Sequence, residues 1–242
     1  MENFKDTISK KYLLPGKTYK NYMKEVLTRE GILAPYSIEY NGADVIEKVY
    51  FDTVDRFFFN NGILIYLIKN KNSKMAKIIV RYEGEDKRIP FISEMPTILA
   101  KEISKKDFFS AHFDFMVEAL MAIMPAGLGV DLPTYINTII PVFVVVKKAQ
   151  QYRIVHNSGL KMTFSFEEVD YMNNANRNKQ VINQLEIILE STEKEESFEK
   201  FIKRLILQVP TILPMKHSDI LNGLDYTSKT DEKPADKKIP KK

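Results

Sequence analysis

The sequence predicts an α+β fold built on antiparallel strands. Three observations carry this expectation. Strand-like runs lie next to one another and are joined by short polar turns. Helix-like runs fall at the start, middle and end of the chain rather than after each strand. Charged residues sit among apolar ones within long strands, which suits a barrel with a polar interior. The 242 residues are 44% hydrophobic and 28% charged, an ordinary globular balance. No repeat or internal linker divides them. Residues 1–226 are expected to form one domain and 227–242 a disordered Lys-rich tail.

Taken in order, Tyr12-Leu-Leu opens as a strand and Pro15-Gly16 breaks it. Lys17 to Arg29 reads as a helix, with Tyr19, Tyr22, Met23, Val26 and Leu27 at three-to-four spacing. Val45 to Asp52 is rich in β-formers, Val49 and Phe51 facing one way and Tyr50 the other. Phe57-Phe-Phe reads as core and helix packing, and Asn60-Asn-Gly62 as a turn. Ile63 to Lys69 and Ala76 to Tyr82, with a polar turn between, predict an antiparallel hairpin. Lys106 to Met124 carries a Phe- and Met-rich helix face. Pro125 to Pro133 is a loop. Ile139 to Val155 is a long strand expected to kink near its middle. Leu160 to Phe166 and Gln180 to Glu190 are further strands, and Glu193 to Gln208 is an amphipathic helix.

Composition narrows the function. There is no cysteine, which excludes disulfide scaffolds, thiolate metal sites and cysteine nucleophiles. His112, His156 and His217 are too scattered to suggest zinc. No apolar run approaches the ~18–20 residues of a membrane span. The first residues carry no signal-peptide core, so a cytoplasmic protein is expected. The Walker A, G-x-G-x-x-G, G-x-S-x-G and H-E-x-x-H motifs are absent. Residues 227–242 hold six lysines against three acids, which accounts for three of the four net positive charges. The rest is nearly neutral, and nucleic acid is not an expected partner.

The order of short motifs resembles the triphosphate tunnel metalloenzyme superfamily, which includes CYTH and VTC-type polyphosphate polymerase domains. Lys11-Tyr-Leu-Leu-Pro15 precedes a helix. Val49-Tyr-Phe-Asp-Thr53 is followed by Gly62. Lys77-Ile-Ile-Val-Arg81-Tyr is similar to the next tunnel strand, Lys161-Met-Thr-Phe-Ser-Phe to the VTC-type R-x-T-F-D strand, and Leu185-Glu-Ile187 to the late acidic strand. Ser218 to Leu224 is similar to the closing S-K-Y-x-x-G segment. The resemblance implies an eight-stranded antiparallel β-barrel, a tunnel with flanking helices. Basic side chains in such a tunnel hold polyphosphate, triphosphate or nucleotide, and acidic ones hold Mg²⁺ or Mn²⁺.

The chain departs from that pattern where the chemistry sits. The opening E-x-E-x-K is Thr7-Ile-Ser-Lys-Lys11, and Asp6 is out of phase with it. The R-x-R after Gly62 is Tyr66-Leu-Ile68. Ser165, Ile188 and Asp219 stand at an expected aspartate, glutamate and lysine. The leading expectation is therefore a catalytically degenerate tunnel protein acting as a binding or interaction module for phosphate-rich anions. Lys11, Arg81, Lys147, Arg153 and Lys161 would line it, with Lys147 rather than Lys148 pointing inward. Glu186 is the one candidate metal ligand. Asp52 is expected to be structural. The plainer readings are solvated strand charges, a Glu186 paired with a nearby cation, and a core filled at Tyr66 and Ile68. Two alternatives stand beside the leading expectation. One is a divergent Mg²⁺- or Mn²⁺-dependent triphosphatase or polyphosphate polymerase that recruits Glu168 or Asp170. The other is a structural partner protein with a filled barrel.

Overall fold

The computed structural model describes residues 8–16, 18–28, 33, 35–71, 73–82, 92–94, 98–99, 109, 112–123, 131–174 and 177–215. Asp6, Thr7, Lys106 to Phe108, His217, the closing segment 218–224 and the tail 227–242 lie outside them.

The strands are β1 (Ser9–Leu13), β2 (Tyr36–Asp52), β3 (Ile63–Asn70), β4 (Met75–Tyr82), β5 (Ile92–Glu94), β6 (Ile98–Leu99), β7 (Ile140–His156), β8 (Lys161–Asn173), β9 (Lys179–Leu189) and β10 (Leu213–Pro214). The helices are α1 (Tyr19–Thr28), α2 (Phe57–Asn60), α3 (Phe113–Ile123), α4 (Leu132–Asn137) and α5 (Glu195–Gln208). All strand pairings are antiparallel, in the order β10-β1-β9-β8-β7-β2-β3-β4-β5, with β6 beside β4. Eight of these strands have three residues or more and form the antiparallel tunnel sheet expected from the sequence. No pairing joins β5 to β10 among the described residues, so the ladder is not strictly closed.

Alternation along the strands builds three apolar clusters. Phe164 and Phe166 of β8, with Leu185 and Ile187 of β9, pack under α1 and α5. Helix α5 answers with Phe198, Phe201, Ile202 and Leu205 on one face. The backbone N–H of Tyr19 donates to Asn183 Oδ1 at 3.1 Å, which fastens the start of α1 to β9. On the other half of the sheet, Ile65, Leu67, Ile78 and Val80 pack under α2, α3 and α4.

The third cluster uses the opposite parity: Tyr50, Leu64, Tyr66 and Ile79 from β2, β3 and β4, and Phe143, Val145, Val169, Tyr171 and Ile182 from β7, β8 and β9. Among the described residues, Phe59 at its edge is the one helical residue that packs against it. These side chains are buried because the sheet curls over its own inner face. Small barrels fill their interiors in this way. Tyr66 and Ile68 belong to this packing, at the positions where the resemblance implied arginines.

Two long strands differ from expectation. β2 begins at Tyr36 rather than Val45, and β8 runs on to Asn173 rather than ending at Phe166. Glu39, Asn41, Glu167 and Glu168 have weak strand propensity, but cross-strand pairing overrides it. The pairing register of β7 is unbroken at its middle, where the sequence predicts a kink. Its irregularity falls at Val142, next to Pro141, where two residues of β7 face one step of β2. A second shift lies in β2 at Asn41, followed by Gly42 with φ 118°, a conformation that favours glycine. None of the described helices is long and apolar enough to cross a membrane.

Candidate functional site

Antiparallel pairing sorts the inner face into two ends on either side of the third cluster. On β7, Lys147 and Arg153 follow the cluster residues Phe143 and Val145. Lys147 pairs in register with Val169 and Ile46, and Arg153 with Thr163 and Glu39. Moving the same way along the neighbouring strands leads to Lys161 at the start of β8, Glu186 on β9 and Lys11 on β1. Four of the five candidate cations, Lys11, Lys147, Arg153 and Lys161, therefore share one end, called here the mouth. Arg81 does not join them. It lies beyond Ile79 on β4, opposite Leu64, at the far end.

At the mouth Glu186 and Glu190 each meet a cation. Lys11 Nζ is 3.9 Å from Glu186 Oε1, across the β1–β9 pairing. Arg153 Nε and Nη2 grip both oxygens of Glu190 at 2.9–3.3 Å. Those bonds push the guanidinium pKa still higher than its ordinary value. Thr163 Oγ1 also reaches Glu190, at 3.4 Å. Lys161 is exposed on the rim, and its carbonyl accepts the backbone N–H of Glu190 at 3.0 Å.

Deeper in, Lys147 Nζ is 3.6 Å from Glu167 Oε2, and both side chains are buried. Ser165 Oγ donates to Glu167 Oε1 at 2.8 Å, and Gln184 Nε2 donates to Oε2. Gln184 is fully buried, and its Oε1 has no hydrogen-bond partner among the described residues. Lys148 points to the outer face and holds Glu168 at 2.5 Å, which raises its pKa. Lys147 is thus the inward member of the pair, as strand parity predicts.

Sequence reasoning missed Lys48, Lys77, Glu167, Glu190 and Gln184. Lys48 and Lys77 flank Ile68 in register on β2 and β4, on the mouth side of Tyr50 and Ile79. Lys48 Nζ sits 5.7 Å from the centre of the Tyr66 ring. The available signal was parity: Lys48 shares it with Tyr50, and Lys77 with Arg81. The recruitment of Glu168 or Asp170 toward Glu186 is ruled out by the same parity. Both lie on the outer face, paired with Lys148 and Lys179.

Asp52 is structural. Its carboxylate accepts the backbone N–H groups of Thr53 at 2.7 Å, Phe58 at 3.0 Å and Phe59 at 2.9 Å, which holds α2 against the end of β2. Burial raises its pKa, and these bonds oppose the rise.

A tunnel metal needs several hard oxygen ligands converging on one point. Among the described residues no group of three His, Cys, Asp or Glu could hold an ion. Glu186 faces Lys11, and its inner-face neighbours are Ile188 and Gln184 two residues either way along β9 and Ser165 across on β8, so it is the one carboxylate among them. This donor set does not fit a divalent cation.

No family profile and no curated relative matches the sequence. Solved structures do match the fold. A candidate adenylate cyclase from Bacillus halodurans aligns with TM-score 0.50 and 13% identity, over 89% of this chain and 96% of that one. A candidate adenylyl cyclase from Hippeastrum, described as having a dominant triphosphatase activity, aligns with TM-score 0.54 and 11% identity, over 90% of this chain and 95% of that one. The chain has the triphosphate tunnel fold, shared with CYTH and adenylate cyclase-like proteins.

Proposed function

We propose that the chain is a catalytically degenerate tunnel-fold protein that works as a binding or interaction module and takes a phosphate-rich anion at the mouth. The carrying observation is the closure of its inner charges. Glu167, Glu186 and Glu190 each face a cation of the same chain, where a metal-dependent phosphoryl-transfer enzyme would need converging carboxylates. Lys11, Arg153 and Lys161 supply the grip, with Lys147 as a buried charge behind them. Arg81 is left out of this site.

A filled-barrel structural protein is the second reading. The apolar inner cluster favours it, and it predicts no response to phosphate compounds. Thermal shift with pyrophosphate, tripolyphosphate and ATP, with and without Mg²⁺ or Mn²⁺, separates the readings. Stabilisation independent of metal supports the binding module, and no shift supports the structural protein. Metal-dependent release of phosphate would overturn both and return the chain to the triphosphatases and polyphosphate polymerases.

A further inference from the structure

The inner cluster determines how a ligand can sit. It draws on β2, β3, β4, β7, β8 and β9, and Leu13 of β1 packs against it. None of its nine members is more than 8% exposed. Next to it toward the mouth, on β7, β8 and β9, lies a second buried group, Lys147, Ser165, Glu167 and Gln184, also at most 7% exposed. Among the described residues, exposure returns on the mouth side of the cluster, at Lys48 and Lys77 on β2 and β4 and, beyond the buried group, at Lys11, Arg153 and Lys161.

We infer that the tunnel is shut at its middle and works as a pocket with a single mouth, so that a phosphate chain binds by its end and cannot thread through. A threaded polyanion needs a hydrated or charged path along its whole length. Moving a charged phosphate between Tyr50, Tyr66, Phe143 and Tyr171 would strip its water with nothing to replace it. The plug also separates Arg81 from the mouth, so Arg81 does not touch a ligand held there. The class of ligand is a short oligophosphate, or the terminal phosphates of a longer chain. This inference rests on the anion-binding reading above.

The test uses the wild-type chain. Binding of tripolyphosphate is measured by titration calorimetry, and the number of protein molecules bound per long polyphosphate by light scattering over a series of chain lengths. End-on binding predicts tripolyphosphate binding, and no more than two proteins per chain at every length, one at each end. Threading or side-on binding predicts a number that grows with length, and that result overturns the inference while leaving anion binding intact. Absence of binding to any phosphate compound overturns the anion reading and this inference with it. The variant Arg81→Gln is expected to keep its tripolyphosphate affinity within about twofold, and a loss of about tenfold or more would refute the single mouth.

Discussion

Replacing Lys147 by methionine tests the charge closure directly. The ammonium and the Glu167 carboxylate are 3.6 Å apart, with side chains 8% and 5% exposed. At an effective dielectric of about 20 their attraction is roughly 4–5 kcal/mol before desolvation is charged against it. Removing one partner of such a buried pair costs about 3–5 kcal/mol, because the other charge stays buried without it. Here Glu167 would still accept hydrogen bonds from Ser165 and Gln184, which places the expected loss near the lower end, about 3 kcal/mol. The partner change Glu167→Gln should cost a similar amount by taking the opposing charge away from the buried Lys147 ammonium. The double variant removes both charges, so it should be at least about 2 kcal/mol more stable than the sum of the single losses predicts. Urea unfolding followed by far-ultraviolet circular dichroism gives all four stabilities. Losses below about 1 kcal/mol for the single variants, or additive losses in the double, would refute the buried, mutually dependent pair.

Other expectations follow from the same geometry. Asp52→Ala removes the acceptor for three backbone N–H groups and should cost about 2–4 kcal/mol in the same urea assay. Burial raises the Asp52 pKa above its ordinary 3.8. Its contribution therefore favours the folded state most below 3.8 and is lost as pH rises through the raised folded value. The stability difference between wild type and Asp52→Asn, measured across that range, should change in that direction. Phe164→Ala, at a fully buried ring packed on Phe166 and Phe201, should cost about 3–5 kcal/mol, whereas Val181→Ser on the exposed outer face should stay within about 0.5 kcal/mol.

Most of the fold was legible because alternation and turn chemistry are local signals. The β3–β4 hairpin follows from two apolar runs around a polar turn, and α5 from its 3.6-residue period. The extensions of β2 and β8 were not legible. Glu39, Asn41, Glu167 and Glu168 look like loop residues until a neighbouring strand supplies their backbone partners. The site was legible in parity but not in pairing. Lys147 could be assigned inward from strand period alone, and Glu186 could be read as half of an ion pair. That Arg81 lies across the plug from the other cations depends on strand register, which one sequence does not display. Lys48 and Lys77 were missed for the same reason, since only the alignment of β2, β3 and β4 sets them on either side of Ile68.

The pairing also decides which cations an anion can recruit. An incoming phosphate must open an existing ion pair before it gains a new one. The Lys147–Glu167 pair is buried, and opening it exposes a charge to a low-dielectric wall. The Arg153–Glu190 pair is partly exposed, and exposed pairs are opened at little cost. Lys11–Glu186 is already loose at 3.9 Å. Anion binding should therefore fall on Arg153 and Lys161 first, then Lys11, with Lys147 contributing only its field. Arg153→Ala should weaken tripolyphosphate binding by about tenfold with no loss of thermal stability in the absence of ligand. Lys10→Ala is the matched control, because Lys10 lies on the outer face against Glu199 at 2.9 Å, and it should leave the affinity unchanged. The Arg153 effect should shrink as salt is raised, since the charges involved stand at the solvent edge. Equal losses for Arg153→Ala and Lys10→Ala would mean that phosphate responds to overall charge, and the mouth would then have no standing as a site.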